Sequence, residues 1–525
     1  MDQLNDTTLS QLTETTLKPK GKRKTYKKCN ECNKRRKPSD ENQQICHICY
    51  NMKKIFNSSS GNKIIDDFIR DTQTNLVKGG TKLEFVPYDQ FENIEFIAEG
   101  GFSKIYKATW IDGPISQVMW YRPKLDNIIR QPNFTVVLKK LNNSKNITSK
   151  ELNELKIYYK YYTKWENEIK KIDIGSPFPN YDRLNCISDY YGITQDSNTQ
   201  DFIIIMPYYG LGDLRHYISN DFYNIKWVEK LDILEKIVIG LINIHRFDIV
   251  HRDLHSGNIF FDKFKYNNTC IGDLGISKSA IESANNNENY GIIPYMPPEI
   301  FRRQKYIKAS DVYSLGMIMW ELMTGRRPFW DRNHDTELII DICDGLRPPI
   351  VTDAPEGYID LMRECWHSDP DERPSAFDIN DRVCAMSKKE FSDSENENPT
   401  EIIKSSDIGP VTANNPGAIY KSRSLSGMIN SAMSLVSSRS QSINFEKVKR
   451  KFDDNSIEAN NDYGQSRKRK QNKDNDYLTT EEFELDIDIS SNNDCNFTEE
   501  IELDIDINSN NNEYVTKENE FDINF

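Results

Sequence analysis

Residues 251–258 read His251-Arg252-Asp253-Leu254-His255-Ser256-Gly257-Asn258. The stretch sets a carboxylate and, five positions on, a carboxamide in a polar segment that follows an apolar run at helical spacing, IVIGLINIHRFDIV (237–250). Fifteen residues beyond Asn258 comes a second acid, in Asp273-Leu274-Gly275. A pattern this short arises by chance. Its meaning depends on whether companion motifs occur in order and at workable distances.

The chain has 525 residues and a net charge of −13. Polar ends flank a middle, 85–385, of ordinary globular composition. Lys and Arg crowd 18–37 while the last fifty residues are acidic, an asymmetry that speaks of tails with their own partners rather than of the fold. No apolar run is long enough for a membrane span or a secretory signal, so the expected setting is intracellular, with reduced thiols.

Working outward from 251, the companions are present. FENIEFIAEGGFSKIYKA (91–108) alternates apolar residues around a glycine pair, as two strands joined by a tight turn would. Val136-Val137-Leu138-Lys139 reads as a strand, on which Lys139 and Lys140 face opposite ways because side chains alternate. KELNELKIYYKYY (150–162) has helical periodicity and offers Glu154, or Glu151 one turn earlier, as partner for a lysine; the plain alternative for either is a solvated helix face. DFIIIMPYYGLGD (201–213) reads as a buried strand entering a linker. Beyond Asp273 lie a polar stretch, ISKSAIESANNNENY (276–290), then IPYMPPE (293–299), DVYSLGMIMWELMTGRRPF (311–329) and CWHSDPDERP (365–374).

From Phe91 to about Cys384 this ordered series resembles a protein kinase, and HRDLHSGN, DVYSLGMIMWEL and CWHSDPDERP resemble the tyrosine-kinase-like group, particularly its expanded fungal families. The resemblance implies an α+β, two-lobed fold over 85–390, with a small β-rich N-lobe to about residue 206 and a larger, mainly α C-lobe from about 211. It implies ATP and Mg²⁺ as cofactors and a protein as substrate. Asp253 would position the nucleophile, Asn258 and Asp273 would hold magnesium, and Lys139 paired with Glu154 would orient the phosphates. The glycine-rich loop would span Ala98, Glu99, Gly100, Gly101, Ser103 and Ile105, with only the central glycine of its pattern, Gly100, retained. Met206 would stand as gatekeeper beside the adenine, Tyr209 would supply a hinge N–H, and Asp213 would meet the ribose or, more plainly, cap a helix. Arg252 could bind a phosphate on the activation loop, at Ser279, Ser283 or Tyr290, and Glu299 would pair with Arg373.

Such kinases mostly act on Ser or Thr. Here His255 stands where those enzymes have Lys, and Ile292 where they commonly have Thr, so the hydroxyl specificity rests on the family. The rival reading is a pseudokinase scaffold acting through its ends; the complete Lys, Asp, Asn and Asp set weighs against it.

Residues 1–17 read as disordered and 18–55 as a basic knuckle, in which Cys29, Cys32, Cys46 and Cys49 form CxxC-x13-CxxC, a spacing that suits one tetrahedral Zn²⁺; two chance pairs are the alternative. His47 reads as a bystander. With no aromatic platform among the basic residues, nucleic acid is not an expected partner. Residues 56–84 read as a linker containing a short amphipathic helix over 64–75. Residues 391–525 read as a disordered, acidic, Asn- and Ser-rich tail that offers protein partners a contact helix at 424–438 and an acidic-apolar near repeat at 481–508. Basic clusters at 449–451 and 467–470 resemble a nuclear import signal, so the expected location is cytoplasmic or nuclear.

Overall fold

The computed structural model describes residues 27–31, 33–39, 41–42, 44–47, 49–50, 53, 56, 58–75, 83–101, 103–115, 130–146, 152–172, 186–261, 269–275, 278–279, 289–411 and 413–438. The expectations for 1–17 and 439–525, with the basic clusters and acidic repeats, lie outside the described residues.

Helix α1 (Lys63–Asn75) opens on Asn62, whose Oδ1 accepts from the N–H of Ile64 at 2.9 Å and that of Ile65 at 3.4 Å. Its buried stripe, Ile65, Ile69 and Thr72, follows the i, i+4, i+7 rule. The N-lobe sheet uses β1 (Glu84–Phe85), β2 (Phe91–Glu99), β3 (Ser103–Trp110), β4 (Phe134–Leu141), β5 (Gly192–Gln195) and β6 (Phe202–Pro207), in the order β1-β5-β6-β4-β3-β2. All neighbours are antiparallel except β1 and β5.

The period of two sorts β4 by face. Val136 and Leu138 pack with Trp110, Ile203 and Ile205 in one core, leaving Lys139 to the face covered by helix α2 (Asn153–Ile172). Lys140, one residue on, pairs with Asp196 at 2.7 Å.

The C-lobe is built on α3 (Leu214–Asp221), α4 (Trp227–Arg246), α5 (Lys308–Thr324), α6 (Thr336–Cys343), α7 (Tyr358–Cys365) and α8 (Ala376–Glu395), with β7 (Ile259–Phe261) paired to β8 (Thr269–Ile271). α5 is buried from Ser310 to Thr324, as apolar residues on every side of the helix require. It stops at Gly325, which adopts φ 74° and lies so close to the Phe222 ring that a Cβ would come within 2.7 Å. Arg373 grips Glu299 through two bonds of 2.8 and 2.7 Å in the lobe interior, and Ser310 Oγ donates to the same carboxylate at 3.0 Å.

The chain does not lose structure at 391. α8 runs to Glu395, and Thr400 ties back through its N–H and Oγ1 to the buried Glu390 at 2.9 and 2.7 Å. From there to 438 the chain lies along the C-lobe as a strap: Tyr223 OH donates to Ile408 O, β10 (Arg423–Ser424) pairs antiparallel with β9 (Tyr290–Gly291), and residues 426–438 are helical. A polar composition predicted an unstructured tail because it undercounts a few well-placed apolar anchors. Ile408, Leu425, Ile429 and Ala432 are fully buried in the main core.

Candidate active site

Lys139 reaches across the N-lobe to three carboxylate oxygens: Glu154 Oε1 and Oε2 at 3.1 and 2.9 Å, and Asp273 Oδ1 at 2.7 Å. Burial works against its charge, but the flanking acids Asp273 and Glu154 outweigh it and hold its pKa well above the ordinary lysine range. Asp273 is pushed up by burial and down by Lys139, with a net lowering, so it stays ionised. Tyr190 OH donates to Glu154 Oε1 at 2.8 Å and accepts from Leu274 N at 3.4 Å, joining helix α2 to the Asp273 turn.

The catalytic-loop candidates hang from one buried acid. Asp311, at the start of α5, accepts from the N–H groups of His251 (2.8 Å) and Arg252 (2.9 Å), and bonds His245 Nε2 at 2.8 Å. This holds Arg252 at φ 74°, a left-handed conformation that costs a non-glycine residue about 1 kcal/mol. The turn carries the Asp253 side chain into the cleft. His251 Nε2 bonds Gly272 O at 3.0 Å and Gly272 N donates to Asn258 O at 2.9 Å, so the 251–258 loop is stitched to the Asp273 turn.

Asn258 Nδ2 donates to Asp253 O at 2.9 Å, which commits the amide nitrogen and leaves Oδ1 as the atom for a cation. The Asp273 carboxylate keeps 39% of its side-chain surface exposed, although Lys139 and Gly275 N both hold Oδ1. An ionised carboxylate and an amide oxygen are hard donors, so these residues fit Mg²⁺ better than a softer metal.

In the neutral ring His255 Nδ1 accepts from Gly257 N at 3.1 Å and the proton sits on Nε2, 3.8 Å from Asp253 Oδ2; protonation of the ring gives up the bond to Gly257. Burial works against its protonation, but the Asp253 charge outweighs it and lifts the pKa above the ordinary histidine value. The guanidinium of Arg252 lies over the Tyr306 ring at 4.5 Å. Ser283 lies outside the described residues, and Tyr290 forms part of β9.

In the nucleotide lobe, β2 and β3 close through a turn in which Gly100 N donates to Ser103 O at 2.7 Å. Ala98 sits opposite Ile105, and Glu99 opposite Lys104, in the strand register. Met206 is buried opposite Val137, and Tyr209 is buried with its ring stacked on Phe260 and its OH donating to Ser188 at 2.9 Å. Asp213 caps α3, accepting from His216 N at 2.9 Å. Its plainer reading is the one the geometry displays.

A family model described as protein tyrosine and serine/threonine kinase matches residues 124–383. This chain carries a protein kinase domain. Its relatives include "Putative serine/threonine-protein kinase/receptor R818" of Acanthamoeba polyphaga mimivirus, 34% identical over 178 residues, or 34% of this chain and 10% of that protein. "Probable serine/threonine-protein kinase roco5" of Dictyostelium discoideum is 33% identical over 196 residues, covering 35% of this chain and 7% of that one. "Probable serine/threonine-protein kinase pats1" of the same organism is 27% identical over 318 residues, 59% of this chain and 9% of that one. The chain thus spans a tenth or less of the length of these curated relatives. The match starts beyond the 91–108 hairpin, where only Gly100 of the glycine pattern is retained.

Two residues of this cleft escaped the sequence reading. Tyr190 carried no signal, because a buried tyrosine in a polar stretch looks like any other. Ser422 Oγ donates to Asp253 Oδ2 at 2.5 Å across 169 residues of chain. The apolar spacing of Leu425, Ile429 and Ala432 could have marked its neighbourhood as docked.

Outside the kinase domain, a two-stranded hairpin (Lys27–Lys28 with Arg35–Arg36) brings Cys29, Cys46 and Cys49 together, with their sulfurs within 4.8 Å of one another and all three side chains buried. Cys46 N donates to Cys29 Sγ at 3.2 Å. Cys32 lies outside the described residues. His47 is exposed and bonds Lys37 O through Nδ1. No helix among the described residues is long and apolar enough to cross a membrane.

Proposed function

We propose that this chain is an ATP-dependent protein kinase that phosphorylates serine or threonine hydroxyls in cell signalling. The observation that carries the reading is the Lys139–Glu154–Asp273 ion-pair set, closed and stitched to the Asp253 loop through Asn258 and Gly272. A scaffold that only bound partners would have no use for so many aligned charges.

In this reading Lys139, fixed by Glu154, holds phosphate oxygens, and Asn258 with Asp273 would hold the magnesium. Mg²⁺ when bound would neutralise charge on the transferring phosphate. Asp253 Oδ2 accepts a hydrogen bond from an incoming hydroxyl and aims its oxygen at the phosphorus. The wide gap in size between this chain and its relatives makes its substrate a separate question.

The finer kinship, with the tyrosine-kinase-like group and its fungal families, rests on HRDLHSGN and CWHSDPDERP. For the knuckle we infer zinc held by Cys29, Cys46 and Cys49 with Cys32 as the fourth ligand; three converging buried thiols support it. Metal analysis of the purified chain should find one zinc per chain, lost when Cys46 is changed to Ser. Residence in the cytoplasm or nucleus, and tail partners for 481–508, remain proposals from sequence.

The deciding experiment is transfer of label from ATP with magnesium to a generic acceptor protein by the full chain and by Asp253→Asn, with phosphoamino-acid analysis. Label on serine or threonine that disappears in the variant is expected. Equal silence of both, with ATP still bound by the wild type, would overturn the reading.

A further inference from the structure

Resting on that reading, we propose that Ser422 is the kinase's own intramolecular phosphoacceptor, and that its modification clears the strap from the substrate cleft. The segment around Ser422 is seated as an acceptor peptide would be. On its C-terminal side Arg423 and Ser424 pair with Gly291 and Tyr290 of the activation segment, Leu425 N donates to Asn289 O at 2.8 Å, and the Leu425 side chain is fully buried. On its N-terminal side His334 N and Nδ1 bond the carbonyls of Gly417 and Ile419 at 2.8 and 2.9 Å. Tyr420 OH donates to Pro328 O at 2.9 Å, and Arg327 lies 3.8 Å from the centre of the Tyr420 ring.

Anchors on both sides leave Ser422 between them with its hydroxyl on Asp253 Oδ2 at 2.5 Å. Ser424 and Ser426 are held by the activation segment instead: Ser424 in the strand, Ser426 Oγ accepting from Asn289 N at 3.0 Å. Two glycines make the approach feasible. Gly291, at φ 152°, takes a backbone that other residues resist, where a Cβ would meet Met296 Sδ at 2.8 Å, and a Cβ on Gly101 would stand 2.5 Å from Ser422 O, so the glycine-rich turn closes directly over the acceptor. A segment serving only as a plug needs no hydroxyl at this one position.

The step balances. Ser422 Oγ attacks the γ-phosphorus of ATP, the bond from that phosphorus to the β–γ bridging oxygen breaks, ADP departs, and the hydroxyl proton passes to Asp253. Once Asp253 has passed that proton on to water, the product carries close to two negative charges against the Asp253 carboxylate, and like-charge repulsion at that spacing expels the segment. Before the step the strap keeps other peptides out; after it the cleft is open.

The test uses the full chain, dephosphorylated and separated from the phosphatase, mixed with magnesium, ATP and a generic acceptor protein. Phosphosites are followed by mass spectrometry against time over a wide range of kinase concentration. Ser422 should be labelled first, with a rate constant independent of concentration, and acceptor labelling should accelerate only as Ser422 fills. Ser422→Thr should keep the modification, and Ser422→Ala should lose the acceleration and run several-fold slower on the acceptor. Acceptor labelling that depends on Asp253 while Ser422 stays unmodified would overturn the inference and leave the kinase reading standing. A Ser422 rate that climbs with kinase concentration would overturn it too, since the transfer would then be between molecules. Label on neither protein would overturn the kinase reading and the inference together.

Discussion

The catalytic loop at 251–258 and the strap at 417–426 meet on one carboxylate, yet they are built on opposite plans. The loop is over-determined: Asp311, His251 and Asn258 each spend side-chain bonds on backbone groups beside them, and the loop rides on α5, buried from Ser310 to Thr324. The strap depends on scattered anchors borrowed from the lobe, at Pro328, His334, Asn289 and the Leu425 pocket. Loss of one bond hardly moves the first, whereas loss of one anchor can free the second. A machine part and a removable part can share an atom only if their stabilities differ in this way.

The sharpest blow to the comparison falls on the shared atom. Asp253→Asn keeps the shape and removes the charge, so labelling of an outside acceptor and of Ser422 should both fall about a thousandfold, the scale of a lost general base. Initial-rate assays on both acceptors check it. If only one falls, the two regions do not use the same catalyst.

Next comes the footing of the loop. Ser256 Oγ lies 3.4 Å from Tyr295 OH, which donates to Glu321, and burial drives the Glu321 carboxyl from 4.5 up to about 7. A raised carboxyl pKa in the folded state contributes stability that is fully present below pH 4.5 and is lost as pH rises through 7, since the unfolded chain sheds that proton sooner. The loss is about 3 kcal/mol. Thermal melts from pH 5 to 8 should show the wild type falling further than Glu321→Gln; parallel curves would remove the group from the core's account.

How much of this was written in the sequence follows the same division. The strand alternation that separates Lys139 from Lys140 has a period of two, and the 251–258 loop is contiguous, so both could be read along the chain. Glu154 and Glu151 stood as alternatives because a helix face offers a glutamate every turn; the pairing with Lys139 is a matter of three dimensions. The cap that Asp213 forms on α3 is likewise a matter of three dimensions. Ser422 itself was illegible: Leu425, Ile429 and Ala432, 4 and 3 residues apart, mark a docked face nearby, but nothing in a window rich in Ser and Asn singles out the hydroxyl that meets Asp253.

The strap's weak hold is testable at Leu425. Burying this side chain stabilises the docked strap by about 2 kcal/mol, and an Asp there cannot be buried. Leu425→Asp should release the strap, lowering the KM for an outside peptide about tenfold, the equivalent of 1.4 kcal/mol. The melting temperature should barely change, since the strap would open locally while the lobe stays folded. A KM unchanged beside a lowered melting temperature would mean that the strap comes away only when the lobe unfolds, and the contrast between the two regions would fail.

The smallest effect expected lies at His255, which stands where the family resemblance implies a lysine. Its Nε2 faces Asp253 at 3.8 Å, and the raised pKa keeps the ring charged somewhat above the ordinary histidine range. As pH climbs past that point the histidine loses a positive charge beside the transferring phosphate, while a lysine would keep it. His255→Lys should therefore match the wild-type kcat within about threefold near pH 6. The variant should then pull ahead by pH 8, so what is read is the ratio of the two profiles and not either rate alone. A ratio constant across that range would show that the charge at 255 does not reach the reaction. In that case the histidine serves only to hold Gly257 N, and the loop's one departure from pattern belongs to its scaffolding.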